Sequence, residues 1–283
     1  MKKILLALAF ITFSSPALAV ADHEVLNKGY NSYSKGDYKT AFILLKKAVD
    51  WPEKYIKNLK DLPRALHFVG HMYQYGQGVP QDLHNAVKHQ MIAAGEGLPV
   101  AQHTFGMMYY KGEGVPQNYK TAMMWLKRAA EQGDADAQLM LGVMHDYGHG
   151  VPKNKTEAFK WYKQSADNGS SYGQLNTGVN YRMGVGVPVD YIKAVTYFRK
   201  AAIQGNTPAQ IKLGKAYEKG EGTIQNLRAA WTWYSIASIK NKDGHSPHRD
   251  RIEKKMTSAE LALAKKFTNM CYKLNKLSLC SYK

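Results

Sequence analysis

Residues 99–134, PVAQHTFGMMYYKGEGVPQNYKTAMMWLKRAAEQGD, decide the fold. Residues 101–110 carry apolar side chains at helical spacing, which predicts a first helix. Residues 111–116 contain two glycines and a proline, a composition that ends helices and forms turns. Residues 119–132 return to helical spacing and stop before Gly133, which predicts a second helix with a glycine at its end. The stretch therefore predicts a helical hairpin.

The hairpin pattern recurs every 36 residues along the chain. The tripeptide Gly-Val-Pro begins at Gly78, Gly114, Gly150 and Gly186, and a fifth copy at Gly222 keeps only the glycine. An alanine column runs through Ala86, Ala122, Ala158, Ala194 and Ala230, and an aromatic column through Trp125, Trp161, Tyr197 and Trp233. One hairpin cannot bury both of its apolar stripes, so neighbouring hairpins must stack. The repeats predict an all-α fold, an α/α solenoid of helical hairpins.

Two further columns concern packing inside the hairpin. A glycine recurs in the middle of the first helix, at Gly70, Gly106, Gly142, Gly178 and Gly214. Glycine there costs about 1 kcal/mol relative to alanine, so its recurrence predicts that the second helix packs against bare backbone. A methionine column, Met72, Met108 and Met144, is expected to fill the core rather than to bind a ligand.

The first 19 residues have the features of a signal peptide. Lys2 and Lys3 precede the apolar run Ile4–Phe13, and Ala17-Leu18-Ala19 offers small residues to a signal peptidase. Ten apolar residues are too few to span a bilayer, although a short N-terminal anchor remains an alternative. We expect residues 1–19 to be removed and the product to be periplasmic or secreted.

The rest of the chain divides into three parts. Residues 20–62 read as a degenerate N-terminal hairpin and an insert, and residues 63–242 hold the five repeats. Residues 243–283 read as a capping helix and tail, with a polar connection over residues 242–248. Thr257-Ser258-Ala259-Glu260 has the pattern of a capping box that opens the last helix.

The chain is strongly basic. Its net charge is +17, and removal of residues 1–19 leaves 37 basic and 22 acidic residues, or +15. Residues 240–283 hold 11 Lys and Arg residues against four acidic ones. This balance favours an acidic protein or peptide, an anionic lipid or a polysaccharide. Export makes nucleic acid an unexpected partner.

The two cysteines, Cys271 and Cys280, could pair in an oxidising compartment or remain thiols. They are too few for a structural zinc site, which needs about four ligands. We predict no cofactor.

Catalytic motifs are weak in this sequence. Ser171 fits the pattern G-x-S-x-G, but the segment joins two predicted helices, whereas a nucleophile elbow follows a strand. Ser32 and Lys35 fit S-x-x-K, but the accompanying S-D-N and K-T-G elements are missing. We therefore do not expect an enzyme. A β-lactam or cell-wall hydrolase is kept as the weakest alternative.

Three histidines raise the question of a metal site. His67 and His71 share one face of a predicted helix, and His103 follows His67 by one repeat, so three imidazoles could converge on zinc or copper. The same column carries Leu139 and Leu175 in later repeats, which favours burial instead. We expect no bound metal.

The full pattern resembles a known family. A-Q-x-x-x-G-x-x-Y-x-x-G-x-G-V-P followed by Y-x-x-A-x-x-W-L-x-x-A-A-x-x-G is similar to the Sel-one-like repeat (SLR), a relative of the tetratricopeptide repeat. His89 replaces the aromatic residue and Leu66 the glutamine in the first copy. The resemblance implies a right-handed superhelix. It also implies a protein–protein interaction scaffold in envelope signalling, surface assembly or host contact.

We therefore expect a non-enzymatic, monomeric scaffold that binds another protein along the first helices of the repeats, which suit a long concave surface. The candidate binding residues are Phe68, His71, Thr104, Met107, Met140, Asn176 and Lys212. An electrostatic binder of an anionic envelope polymer or lipid is the main alternative.

Overall fold

The computed structural model describes residues 15–50, 61–239 and 246–273, which form fourteen helices and no strand. The first five helices are α1 Ser15–Ser34, α2 Tyr38–Val49, α3 Leu62–Tyr75, α4 Leu83–Gly95 and α5 Pro99–Lys111. The next five are α6 Tyr119–Glu131, α7 Ala135–Tyr147, α8 Lys155–Asp167, α9 Ser171–Met183 and α10 Tyr191–Ile203. The last four are α11 Thr207–Lys219, α12 Leu227–Ser238, α13 Pro247–Glu253 and α14 Ser258–Lys273.

These helices belong to two compact units, Met1–Gln117 and Asn118–Lys283. Helices α1 to α5 lie in the first unit and α6 to α14 in the second. Within each unit, helices that are consecutive in sequence pack against one another as far as α13, and α14 returns to pack on α12. The predicted all-α solenoid of helical hairpins is confirmed.

The recurring turn residues set the ends of the helices. The second helix of each repeat begins after Asp82, Asn118, Asn154, Asp190 or Asn226, whose side chain accepts a hydrogen bond from the backbone N–H three residues later. The first helix ends at Gly76, Gly112, Gly148, Gly184 or Gly220, all at φ between +66° and +80°. Glycine adopts this left-handed conformation without steric cost, so the turn can follow the helix directly.

The mid-helix glycines let aromatic rings approach the first helix. A Cβ built on Gly142 would lie 2.5 Å from the ring of Tyr162, and one on Gly178 would lie 2.7 Å from the ring of Phe198. The predicted packing against bare backbone is therefore confirmed. The rings that use it stand one residue after the aromatic column noted in the sequence, whose member Trp161 is only half-buried.

Successive hairpins meet where a turn glycine lies on the start of the second helix of the hairpin before it. We call this the glycine stacking contact. Gly150 lies against Tyr119, 31 residues earlier, and a Cβ built on it would stand 2.9 Å from the Cβ of Tyr119 and 3.0 Å from its carbonyl carbon. The same separation of 31 residues joins Gly186 to Lys155. The glycine in Gly-Val-Pro therefore serves both turn conformation and close approach.

A ladder of buried glutamines also joins neighbouring hairpins. Each glutamine is the fourth residue of a first helix, and its Nε2 donates to a backbone carbonyl at the end of the preceding second helix. The pairs are Gln102 with Ala94 at 3.2 Å, Gln138 with Ala130 at 2.9 Å, Gln174 with Ala166 at 3.3 Å and Gln210 with Ala202 at 3.1 Å. Each of these carbonyls also accepts a hydrogen bond from the glycine N–H three residues later, so the ladder adds a second donor that comes from the neighbouring hairpin.

The methionine column lies in the core as predicted, since Met72, Met108 and Met144 are fully buried. The capping box at the start of α14 is also confirmed. Thr257 N–H donates to Glu260 Oε2 at 2.9 Å, and Glu260 N–H donates to Thr257 Oγ1 at 3.3 Å. This reciprocal pair satisfies two otherwise free backbone donors.

One expectation about the C-terminal part is wrong. The predicted polar connection extended to His248, but α13 already begins at Pro247. Ser246 accepts a hydrogen bond from Arg249 N–H at 3.3 Å, and proline suits the first turn of a helix because its missing donor is not needed there. The Ser-Pro pair therefore starts a short helix. Residues 242–245 of the predicted connection lie outside the described residues.

The predicted signal peptide lies mostly outside the described residues, which begin at Ser15 within α1. Helix α1 continues through the predicted cleavage point after Ala19, and cleavage stays a prediction. Within the described ranges, none of the helices combines the length and apolar character that a bilayer crossing requires.

Candidate functional site

The predicted binding residues lie on the first helices of five repeats, and each side chain is half-buried. They are Phe68 and His71 on α3, Thr104 and Met107 on α5, Met140 on α7, Asn176 on α9 and Lys212 on α11. We call this set the first-helix column. Four members lie in the first unit and three in the second, and we describe each unit separately.

In the first unit, Phe68 and His71 pack against α1. The ring centroid of Phe68 lies 4.8 Å from that of Tyr33 and 5.2 Å from that of Tyr30. The Arg64 guanidinium lies 4.5 Å from the Tyr30 centroid, within cation–π range. Phe68 therefore joins two hairpins, and only part of its surface remains for a partner.

His71 and Tyr75 form the more open edge of this cluster. Tyr33 Oη and His71 Nδ1 are 3.1 Å apart, and the His71 ring lies 4.5 Å from that of Tyr75, which is 57% exposed. Burial lowers the pKa of His71. Neutral imidazole and phenol rings at a partly wet edge suit contact with a protein partner.

On α5, the Thr104 hydroxyl donates to the Val100 carbonyl at 2.8 Å, so this group is already satisfied within its own helix. Met107 is half-buried beside it in the column. Methionine adapts its shape to irregular surfaces, which suits a contact position.

In the second unit, the column ends in a basic cluster of Lys212, Lys215 and Arg182. Burial lowers the pKa of Lys212, and the charges of Lys215 and Arg182 lower it further. Arg182 Nε donates to Glu221 Oε2 at 2.9 Å, whereas Lys212 and Lys215 form no ion pair with any described residue. Two uncompensated ammonium groups on one helix face favour an anionic partner.

The three histidines considered for a metal site do not converge. His67 Nδ1 lies 3.0 Å from Gln90 Oε1, and the rings of His67 and His71 are 6.3 Å apart. Burial lowers the pKa of His67, with smaller contributions from the charges of His71 and His103. Over the described ranges, no group of three His, Cys, Asp or Glu residues is arranged to hold a metal ion.

The two serine motifs lie in helical surroundings. Ser171 is the first residue of α9, and Asn206 Nδ2 donates to its hydroxyl at 3.4 Å. Helix α8 precedes it where a nucleophile elbow would need a strand. Ser32 lies in the last turn of α1. Neither serine has the structural context of its motif.

Of the predicted cysteine pair, Cys271 is fully buried in the core of the second unit. Cys280 lies outside the described residues, so the pairing stays a prediction.

A family model for the Sel1 repeat matches most of the chain, over residues 18–50, 63–89, 99–134, 135–170, 171–206 and 207–241. The chain belongs to the Sel1 repeat family. Its first Sel1 match covers the α1–α2 hairpin, which the sequence presents as degenerate because Gly36-Asp37-Tyr38 replaces the usual turn. Sel1 repeats generally mediate protein–protein interaction, and the family is typically a non-enzymatic scaffold.

Solved Sel1 structures are similar over most of the chain. A Sel1 repeat protein from Oxalobacter formigenes is 30% identical, with a TM-score of 0.66, over 77% of this chain and 86% of that one. A protective antigen present in uropathogenic Escherichia coli strains, with an SLR fold, is 28% identical, with a TM-score of 0.65. The match covers 92% of this chain but 57% of the antigen. No curated protein gave a match.

Proposed function

We propose that this Sel1 repeat protein is a non-enzymatic scaffold that binds a partner protein through the first-helix column. One observation carries the proposal. A half-buried side chain recurs at the same position of five first helices, in the first unit at Phe68 and Thr104 and in the second at Met140, Asn176 and Lys212, and within each unit glycine stacking contacts and glutamine hydrogen bonds hold these helices. Partly exposed side chains on rigid helices can bind a partner without a large loss of conformational entropy.

The charges favour an acidic partner surface or peptide. Lys212 and Lys215 lack carboxylate partners among the described residues, and the whole chain carries +17. Opposite charge on the partner would speed association and fix its orientation, while the apolar side chains of the column supply contact area.

The proposal also includes the cellular location of the protein. The basic start, the apolar run and Ala17-Leu18-Ala19 support export to the bacterial periplasm or beyond the cell. A role in envelope signalling or in contact with a host would follow from that location together with a protein partner.

The test is a pull-down from envelope extract with the chain that begins at Val20, followed by calorimetry with the recovered protein. Lys212→Glu with Lys215→Glu should weaken binding at least about tenfold, because both charges would then repel an acidic partner. Lys120→Glu with Lys200→Glu reverses two exposed lysines on second helices and serves as the matched control. Equal losses in both pairs would contradict binding through the first-helix column.

A purely electrostatic binder is the second candidate. It is favoured by Lys212 and Lys215, which have no carboxylate partner among the described residues, and by the 11 basic against four acidic residues in 240–283. Binding to an anionic polysaccharide or lipid should fall steeply as salt shortens the screening length. Retention of such a polymer at low salt, with no protein recovered, would favour this candidate over the scaffold.

A further inference from the structure

Helix α14 buries one stripe and leaves another uncovered. Ala264, Thr268 and Cys271 are buried in the second unit, and Thr268 Oγ1 donates to Thr232 Oγ1 on α12 at 3.2 Å. On an adjacent stripe, Leu263 is 53% exposed and Met270 is 46% exposed. The orientation of the helix is therefore fixed, and two large apolar side chains remain in solvent.

Helix α10, the second helix of the fourth repeat, provides a comparison for these positions. In α10, Ala194, Phe198 and Ala201 are buried with the same spacing as Ala264, Thr268 and Cys271. Three positions are compared: one residue before, two residues after and six residues after the first buried residue of each helix. They are Lys193, Thr196 and Lys200 in α10, and Leu263, Lys266 and Met270 in α14. All six side chains are exposed. Solvent-facing positions that are polar in α10 have thus become mainly apolar in α14.

These side chains line a groove rather than a flat patch. A cavity of about 310 Å³ lies between α12 and α14, lined by Arg228, Leu263, Lys266, Phe267 and Met270. We call it the α12–α14 groove. Its floor is apolar and two cationic side chains border it. A concave apolar surface of this size accommodates a few protruding side chains of a partner.

The two cations of the groove are not neutralised by the described residues. Neither Arg228 nor Lys266 forms an ion pair there. Hydrogen bonds from Thr257 lower the pKa of the Glu260 carboxyl, and the charge of Arg228 lowers it further. The Glu260 carboxylate, however, is already bound to Thr257 N–H and Oγ1, both at 2.9 Å. The border of the groove therefore offers positive charge to an incoming group.

We propose that the α12–α14 groove binds an acidic amphipathic helix of a partner protein. Its leucine-type side chains would fill the cavity between Leu263 and Met270, and its carboxylates would pair with Arg228 and Lys266. A second copy of this chain fits poorly, because its +17 charge would repel the same cations. A bilayer fits poorly, because lipid binding requires a protruding apolar face and this one is concave. The groove lies outside the first-helix column, so the proposal is independent of the function proposed above.

The test uses the full chain from Val20 and a labelled synthetic peptide of about 20 residues, with leucines at helical spacing and glutamates on the flanks. Fluorescence anisotropy should show saturable binding. Met270→Ser should weaken it about fivefold, since half-exposed apolar contact is lost. Met124→Ser is the matched control, because Met124 is 44% exposed on α6. Arg228→Glu with Lys266→Glu should weaken binding at least about tenfold.

Circular dichroism and thermal melting of each variant will show that the fold is retained. The proposal is overturned if the peptide does not bind the native chain, or if Met124→Ser and Met270→Ser weaken binding equally. It is also overturned if the groove variants leave peptide binding unchanged and instead reduce self-association in sedimentation, or reduce binding to vesicles that contain phosphatidylglycerol.

Discussion

Replacement of Gly150 by alanine tests the glycine stacking contact. Gly150 has φ +76°, where an alanine costs about 1 kcal/mol in backbone strain. Its new Cβ would also stand 2.9 Å from the Cβ of Tyr119 and 3.0 Å from the carbonyl carbon of Tyr119, closer than ordinary contact allows. Because the Tyr119 backbone cannot rotate away, the two hairpins must separate, at a cost of about 1–3 kcal/mol. We expect a total loss of about 2–4 kcal/mol.

Gly133→Ala is the control for this substitution. Gly133 has φ +89°, and a Cβ built on it meets no atom within 4 Å. Gly133→Ala introduces the same backbone strain as Gly150→Ala but no steric clash, so it should lower the free energy of unfolding by about 1 kcal/mol. Urea unfolding followed by circular dichroism measures both variants, and amide hydrogen exchange locates the opening. Equal losses for the two variants, or unchanged protection of α6 in Gly150→Ala, would refute the proposed role of the contact.

Two other substitutions test the polar contacts of the core. Gln138→Leu removes the hydrogen bond from Nε2 to the Ala130 carbonyl, which still accepts from Gly133 N–H, and should lower the free energy of unfolding by about 0.5–1.5 kcal/mol in urea titration. Gln132→Leu, at an exposed position, should change it little. Burial lowers the pKa of His67, so the contribution of this side chain to stability is constant above the unfolded-state pKa of about 6.5 and falls as pH drops below it. His67→Leu should therefore reduce the loss of unfolding free energy between about pH 7 and pH 5, and an unchanged pH dependence would show that His67 does not cause it.

The repeat period let the sequence predict the hairpins, because the turn glycines and the apolar stripes act within a single hairpin and do not depend on distant parts of the chain. The left-handed turn glycines and the rings packed on Gly142 and Gly178 follow from this local logic. The glutamine ladder was not predicted. Its members, such as Gln138, were visible as a column, but hydrogen bonding to Ala130 requires knowledge of how two hairpins stack.

The candidate site was less predictable from the sequence. Packing against neighbouring helices decides which side chains of the first-helix column stay exposed to a partner. Phe68 was chosen for its place in the register, and the structure shows part of it packed on Tyr30 and Tyr33. The α12–α14 groove was not predicted, although Leu263 and Met270 could have signalled it as apolar residues at positions that are polar in α10. The short helix after Ser246 was missed for a different reason, since Ser-Pro occurs in turns as well as at helix starts.

The glycine stacking contact also limits how such a chain can change its length during evolution. From Gly150 onward the contact joins residues 31 apart, so an insertion or deletion inside either helix of that interval would move the glycine away from its contact. Gly78 makes the same contact with Tyr38 across 40 residues, and the extra length falls between α2 and α3. Duplication of whole hairpins, or additions between two hairpins, preserves every glycine stacking contact. In engineered repeat arrays, recombination breakpoints should therefore lie between two successive hairpins.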